Sequence, residues 1–287
     1  MRYRAIRKHA DRYSVRLMCR ALRVSSAGYY GWRDRPAAAA AEANRALVAS
    51  IRAVHAVSRR TYGSPRIALD LRAAGQRIGE NRVARLMRLN DIRAKTARKW
   101  RATTDSAHRL PVAANALDRQ FTVTAPNRVW AGDLTYVWTE AGWLYLAVVL
   151  DLYSRAVIGW AMGPRLTADL AQAALTMALW RRQPATGLLH HSDRGVQYAS
   201  GDYQRLLADG GHRCSMSRKG NYWDNAVVES FFATLRKEVI HDRRYPTREE
   251  AKQDVFEWIE VFYNRQRRHS TLGYRSPAEF EAMREVA

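Results

Sequence analysis

Hydrophobic positions in this chain follow a helical period at first and a strand period later. In residues 12–33, YSVRLMCRALRVSSAGYYGWRD, Val15, Met18, Cys19 and Leu22 recur at helical spacing, and the break at Val24-Ser25-Ser26 caps a second short helix. That is the outline of a helix-turn-helix. The alanine run 37–41 after Pro36 predicts the start of the next helix. A second pair of helices is predicted over 64–74 and 81–89, punctuated by Gly75 and Gly79. On the latter, Val83, Leu86 and Met87 form an apolar strip while Arg82, Arg85 and Arg88 project from the other side, three residues apart. This layout suits a recognition helix whose arginines reach guanine edges and phosphates in a major groove, and it also suits a solvated basic face.

From 95 to 127 the periodicity weakens and the composition is polar, which predicts the connection between two regions. Alternation then sets in at 129–138, with Ala131, Asp133 and Thr135 on one face and Trp130, Leu134 and Tyr136 on the other. Segments 144–150 and 156–162 read as two further strands joined by short turns, so three consecutive strands form an antiparallel meander. A helix at 168–180, a strand at 188–191, a helix near 202–207, a strand at 214–216 and long helices over roughly 225–240 and 248–263 follow. The order βββαβαβαα predicts an α/β class: a mixed sheet with flanking helices, preceded by an all-α region.

Composition narrows the picture. The 287 residues, 47% of them hydrophobic and nine of them Trp, supply core for about two domains. The longest apolar run, 143–150, is eight residues, far short of the roughly 18 that cross a bilayer, and the basic N-terminus lacks the apolar stretch of a secretory signal. Two cysteines far apart in sequence, Cys19 and Cys214, argue against a disulfide framework and a cysteine-based zinc module. A soluble protein of a reducing cytoplasm, with no membrane partner, is expected.

Charge divides the chain. Residues 1–110 hold 26 Lys and Arg against 7 Asp and Glu, whereas residues 111–287 hold 22 against 20, so nearly all of the net +21 lies in the first part. A surplus of that size calls for a polyanion, and duplex DNA is the ordinary one, ahead of a ribosome-like role or a membrane surface. Metal-assisted chemistry on phosphates needs carboxylates, which the first part lacks. Binding is therefore expected in 1–112 and reaction in 113–287.

Three acids stand out by position. Asp133 lies mid-strand in WAGDLTYVW, Asp193 closes the strand-end sequence LLHHSDRG, and Glu229 sits among apolar residues in DNAVVESFFATLRKE. Each alone also reads as a salt-bridge, turn or surface residue, and Asp151, 18 residues after Asp133, is a rival third acid. Together, carboxylates from three elements can hold two Mg²⁺ or Mn²⁺ ions for an in-line phosphoryl transfer without a protein nucleophile.

The spacing from Asp193 to Glu229, with 35 residues between them, together with Asp133 resembles the D,D(35)E pattern of retroviral integrases and insertion-sequence transposases. The words WAGDLTYV at 130–137, LDLYSRAVIGW at 150–160, HSDRGVQY at 191–198, GNYWDNAVVESFFATLRKE at 220–238 and YNRQRRHSTLGYRSPAEF at 263–280 are similar to second-reading-frame transposases of the two-frame bacterial insertion-sequence group. TYGSPRI at 61–67 and RLMR at 85–88 resemble that group's N-terminal helix-turn-helix region. The resemblance implies a ribonuclease-H-like core with Asp133, Asp193 and Glu229 as ligands of two Mg²⁺ or Mn²⁺ ions, cleavage at the element's 3′ ends and attack of the freed hydroxyl on DNA. It further implies that Arg236, matching the family's basic position seven residues after Glu229, faces the phosphate backbone; Lys237 beside it, and Arg218 and Lys219 before the helix, are further DNA-contact candidates. Trp223 and Asn225 match family positions without a derivable role. Element ends and target DNA, further copies of the chain on DNA and an upstream-frame product are the partners it implies, in a bacterial nucleoid setting.

Other readings compete. His191 and Arg194 satisfy H-x-x-R with Tyr222 at a nucleophile's distance, as in tyrosine recombinases, but here that motif ends a strand. His190, His191, His212 and Cys214 are zinc-type ligands, though adjacent histidines on a strand point to opposite faces. A DNA-binding protein with a dead core is the third.

Overall fold

A computed structural model describes residues 2–34, 39–95, 110–219 and 221–285, without the side chains of residues 39, 40, 222, 284 and 285. Residues 37–38 of the alanine run, the interior of the expected connection at 96–109 and the Tyr222 side chain lie outside the described residues.

Three short helices, α1 (Arg2–Lys8), α2 (Val15–Ala21) and α3 (Ser26–Arg33), close on Ile6, Cys19 and Tyr29. Ser25 starts α3, its Oγ accepting the Gly28 N–H at 2.8 Å. The longer α4 (Ala39–Val57), α5 (Ser64–Ala73) and α6 (Glu80–Leu89) follow. On α6 the expected division holds: Val83, Leu86 and Met87 are buried, and Arg82, Arg85 and Arg88 are exposed. Arg82 also donates to Asn44 Oδ1 at 2.8 Å.

The five strands β1 (Val129–Thr139), β2 (Gly142–Asp151), β3 (Val157–Gly163), β4 (Leu189–Ser192) and β5 (Arg213–Met216) form one sheet in the order β3-β2-β1-β4-β5. The first three pair antiparallel through short turns. Pairing of β4 with β1 and of β5 with β4 is parallel, and each of those steps requires a helical crossover. The crossovers are α7 (Ala168–Arg182), then α8 (Val196–Ala199) with α9 (Gly201–Asp209).

The two faces of the sheet are covered differently. Trp130, Val149 and Ile158 pack under α7 to α9 with Leu170, Leu175 and Tyr203. The opposite face, with Ala131, Leu146 and Val148, is covered by Val228, Phe232 and Trp258. Those residues come from α10 (Ala226–Leu235), which continues into a π-helical turn at Arg236–Ile240, and from α11 (Arg248–Glu257), which continues into another at Trp258–Tyr263. A last helix, α12 (Pro277–Glu285), was not expected.

The same apolar cluster runs on into Ile51, Ile67 and Val83 of α4 to α6, so the basic helices and the α/β layer share a core. Ion pairs bind them further, with Arg59 on Asp254 at 2.9 Å and Arg268 on Asp70 at 2.5 Å. Among the described residues no helix is long and apolar enough to cross a membrane.

Candidate active site

The register of β1 and β4 determines where two of the acids stand. Parallel pairing sets Ala131 level with His191. Two residues further along β1, Asp133 lies on the same face as Ala131, which α10 covers, and Asp193 directly follows the last residue of the neighbouring β4. Asp133 is buried, in keeping with its position in the inward alternation of β1. Its Oδ1 accepts the Leu134 N–H at 2.8 Å, and Asp193 Oδ1 accepts the Gly195 N–H at 2.8 Å in the turn past β4. Glu229 is half-buried in the first turn of α10, where the helix dipole favours negative charge.

These three carboxyl groups sense one another. Burial pushes Asp133 well above the usual carboxylate range, the charges of Asp193 and Glu229 push it further, and the Leu134 N–H and Arg236 pull it back. Glu229 is raised by burial, with Arg236 opposing and Asp193 adding to the rise. Among the described residues, however, no three acidic, His or Cys side chains close into a ready-made metal cage. Like charges gathered in this way repel, and a proton or a bound cation between them relieves the repulsion. The donor set, oxygen only and all carboxylate, fits Mg²⁺ or Mn²⁺ and does not fit a soft or nitrogen-loving metal.

Arg236 is part of this cluster. It starts the π-helical turn that ends α10, and its guanidinium Nη2 donates to Thr135 Oγ1 at 2.8 Å. Burial lowers its pKa, and Glu229, Tyr136 and Asp133 raise it. Arg236 is half-buried, bonded to Thr135 and beside Glu229 and Asp133.

The other basic candidates are more exposed. Lys219 is exposed and Lys237 partly exposed. Arg218 engages Asp224, donating through Nε and Nη2 at 2.9 Å each, and also pairs with Asp118 at 3.1 Å.

Asp224 is the structural residue that sequence reasoning missed. It is fully buried, and it also accepts from Arg119 Nε, Asn115 Nδ2 and the Arg218 N–H, each at 2.9 Å. Arg218 above all holds its carboxyl below the usual range. It thus ties the segment entering the sheet and the strand-end arginine to the start of α10. Asn225, one turn before Glu229, is buried, and its amide has no hydrogen-bond partner among the described residues.

The remaining candidates separate. His191 is buried, with Nδ1 at 2.9 Å from Ser215 Oγ and Nε2 at 3.2 Å from Ser217 Oγ; burial lowers it to about 4, so it is a neutral interior ring. His190 faces the other side of the sheet, 3.1 Å from the Tyr203 hydroxyl, and burial lowers it to about 3. Two histidines on opposite faces hold no common zinc. Asp151 pairs in register with Trp130, three residues before Asp133, and accepts the Asn127 and Tyr153 N–H groups at 2.7 Å each. It serves the β2–β3 turn.

Comparison with known proteins gives this geometry a context. An HTH-like domain model matches residues 42–100, and integrase core domain models match residues 123–222 and 210–277. The chain is 46% identical over 283 residues to the transposase InsF for insertion sequence IS3A of Escherichia coli (strain K12), covering 98% of each chain. The chain belongs to the IS3-type insertion-sequence transposases.

The transposase is also 47% identical over 263 residues to the insertion element IS600 uncharacterized 31 kDa protein of Shigella sonnei, covering 92% of this chain and 97% of that one. Among solved structures it is similar to a chain of the simian T-cell lymphotropic virus intasome in complex with PP2A regulatory subunit B56 gamma, at 16% identity and a TM-score of 0.47, over 80% of this chain and 74% of that one. It is similar too to the HTLV-2 integrase catalytic core domain in complex with magnesium, at 18% identity and a TM-score of 0.41, over 54% of this chain and 97% of that one. The integrase core models and the IS3A relative make it an enzyme of the DDE transposase/integrase class. Its HTH-like helices precede a ribonuclease-H-like integrase core built on a mixed five-stranded sheet.

Proposed function

We propose that this transposase catalyses divalent-metal-dependent cleavage at the 3′ ends of an insertion sequence and transfer of the freed strands to target DNA, through Asp133, Asp193 and Glu229. The observation that carries the reading is that Asp193 and Glu229 both raise the buried Asp133 and Asp193 also raises Glu229, the three acids coming from β1, the end of β4 and α10. Asp133, Asp193 and Glu229 would hold two Mg²⁺ or Mn²⁺ ions. The ions, when bound, supply Lewis acidity to the attacking water or 3′-hydroxyl and to the leaving oxygen.

The chain's own residues do the rest. The Leu134 and Gly195 N–H groups orient Asp133 and Asp193. Arg236, held by Thr135, is placed to meet a phosphodiester drawn to the acids and to balance their charge. Arg218, Lys219 and Lys237 flank α10 as further strand contacts, while Arg82, Arg85 and Arg88 on α6 present the basic face that enters a groove. Residues 1–112 form the DNA-binding region and 113–287 the catalytic region. On DNA the transposase acts as a homo-oligomer pairing two element ends, with the upstream-frame product of its element as a further partner, in the bacterial nucleoid.

The test separates binding from chemistry. Glu229→Gln should abolish strand cleavage and leave duplex binding within about twofold of the parent. Loss of both together, in a protein that melts normally, would contradict the assignment.

A further inference from the structure

A cavity of about 350 Å³ opens on another flank of α10, lined by Arg66, Arg155, Arg267, His269, Ser230 and Thr271 among others. At 100° per residue, Ser230 and the rest of the lining from α10 lie on a different face from Glu229 and Arg236. Five segments far apart in sequence build it: α5, the stretch before β1 that carries Phe121, the end of β2 with its turn, α10, and the last π-helical turn with the stretch after it.

Its charge is one-sided. No carboxylate lines it among the described residues, whereas three guanidinium groups and an imidazole do. Arg267 is matched from behind by Glu238 at 2.8 Å. Arg66 and Arg155 stand in no ion pair among the described residues; Arg66 lies over the Tyr62 ring at 5.3 Å, and Arg155 Nη2 donates to the Phe121 carbonyl at 3.2 Å. Two polar atoms are buried without partners: Arg155 Nη1, and Nε2 of His269, a residue only 9% exposed. Burial depresses Arg66 and Arg155, and burial together with Arg267, Arg66 and Arg155 lowers His269 to about 3. Like charges gathered and dried in this way are costly, and each unmatched donor adds to the cost. An oxyanion with several acceptor oxygens satisfies all of them at once. The volume is at the scale of small-ligand sites.

We propose that this cavity is a phosphate-binding site, distinct from the carboxylate cluster, which takes a phosphate group against Arg66, Arg155 and His269 with Ser230 and Thr271 at its rim. A phosphate held there braces α5 of the HTH-like region against the helix that carries Glu229. Because the site lacks carboxylates, its occupancy needs no divalent metal, and its test is independent of the catalytic reading.

The test is calorimetric titration of the full chain in EDTA with inorganic phosphate and, separately, dimethyl phosphate. Saturable binding is expected, and Arg66→Gln and Arg155→Gln should each weaken it about tenfold or more. Thr271 is exposed, so Thr271→Asp leaves the buried groups untouched. That variant should abolish binding while raising the melting temperature, because its carboxylate answers the arginines. Binding of dimethyl phosphate assigns the site to a strand's backbone, and binding of inorganic phosphate alone assigns it to a free or terminal phosphate. No saturable binding of either anion by the folded parent, or binding that all three substitutions leave unchanged, would overturn the proposal.

Discussion

Arg236 donates a hydrogen bond to Thr135 Oγ1 at 2.8 Å, and this contact ties the helix that carries Glu229 to the strand that carries Asp133. Thr135 lies two residues after Asp133, on the same face of β1. The bond therefore holds the helix of Glu229 against the strand of Asp133. Thr135→Val removes the acceptor with little change of shape and is expected to cost about 1 kcal/mol of stability and roughly tenfold in strand-transfer rate. Arg236→Ala, which also removes the charge, should cost about a hundredfold. Single-turnover rates at saturating DNA check both, and unchanged rates would remove Arg236 from the site.

Asp133 carries a cost that the apo protein bears. Its folded-state pKa is raised, by burial first, so the folded state keeps a proton that the unfolded chain has lost. Stability therefore falls as pH rises through the ordinary carboxylate value and up to the raised one. Asp133→Asn is expected to melt above the parent in EDTA at neutral pH, by about 1 kcal/mol, with the gap closing as pH falls toward about 4. Added Mg²⁺ should narrow the gap as well, because it stabilises the parent alone. Thermal melts across pH with and without Mg²⁺ test this; a variant less stable than the parent under all conditions would contradict it.

The buried histidines act in the opposite sense. His190 is lowered to about 3 and His191 to about 4, both by burial, so the folded state binds fewer protons than the unfolded chain. Their contribution is fully present above the unfolded value, about 6.5, and is lost as pH falls from there toward 4. Each histidine should contribute about 1.4 kcal/mol per pH unit in that window. The difference in stability between the parent and His191→Gln should shrink at that rate between pH 6 and about 4.5; a difference independent of pH would show that His191 is not held neutral.

Much of this site was legible before the fold was known. The alternation of β1 set Asp133 on one face with Ala131 and Thr135, and the strand expected at 188–191 set Asp193 just past its carboxyl end. The first reading needed only period-two geometry, and the second only the end of a strand. Glu229 was legible as a lone acid on an apolar helix. Asp224 was not, since its five bonds come from residues up to 109 positions away, and no local period records such partners. The π-helical turn at Arg236 was missed as well, because such a turn leaves no mark in composition or period. Helix α1 escaped because seven residues with a single buried position, Ile6, show no period. The arginine-lined cavity assembles from five distant segments, so each of its arginines reads along the chain as one more basic residue in a basic protein.

Asp151 supplies a control. Its carboxylate accepts two backbone N–H groups at 2.7 Å and takes no part in the charge coupling of the triad. Asp151→Asn is expected to lower stability by about 1–3 kcal/mol and to leave the per-molecule strand-transfer rate of the folded protein unchanged. A loss of rate in a protein shown to be folded would return Asp151 to the list of catalytic acids.

The central claim is that three carboxylates and a divalent cation join DNA strands, and the direct test is strand transfer by the purified protein. A labelled duplex of the element's ends is incubated with target DNA, in Mg²⁺, in Mn²⁺ and in EDTA, beside an Asp193→Asn protein and with the upstream-frame product added in parallel. Joined products are expected from the parent in either metal, with none in EDTA and none from Asp193→Asn, whose binding to the duplex persists. Joining by Asp193→Asn at the parent's rate, or joining in EDTA, would contradict the account.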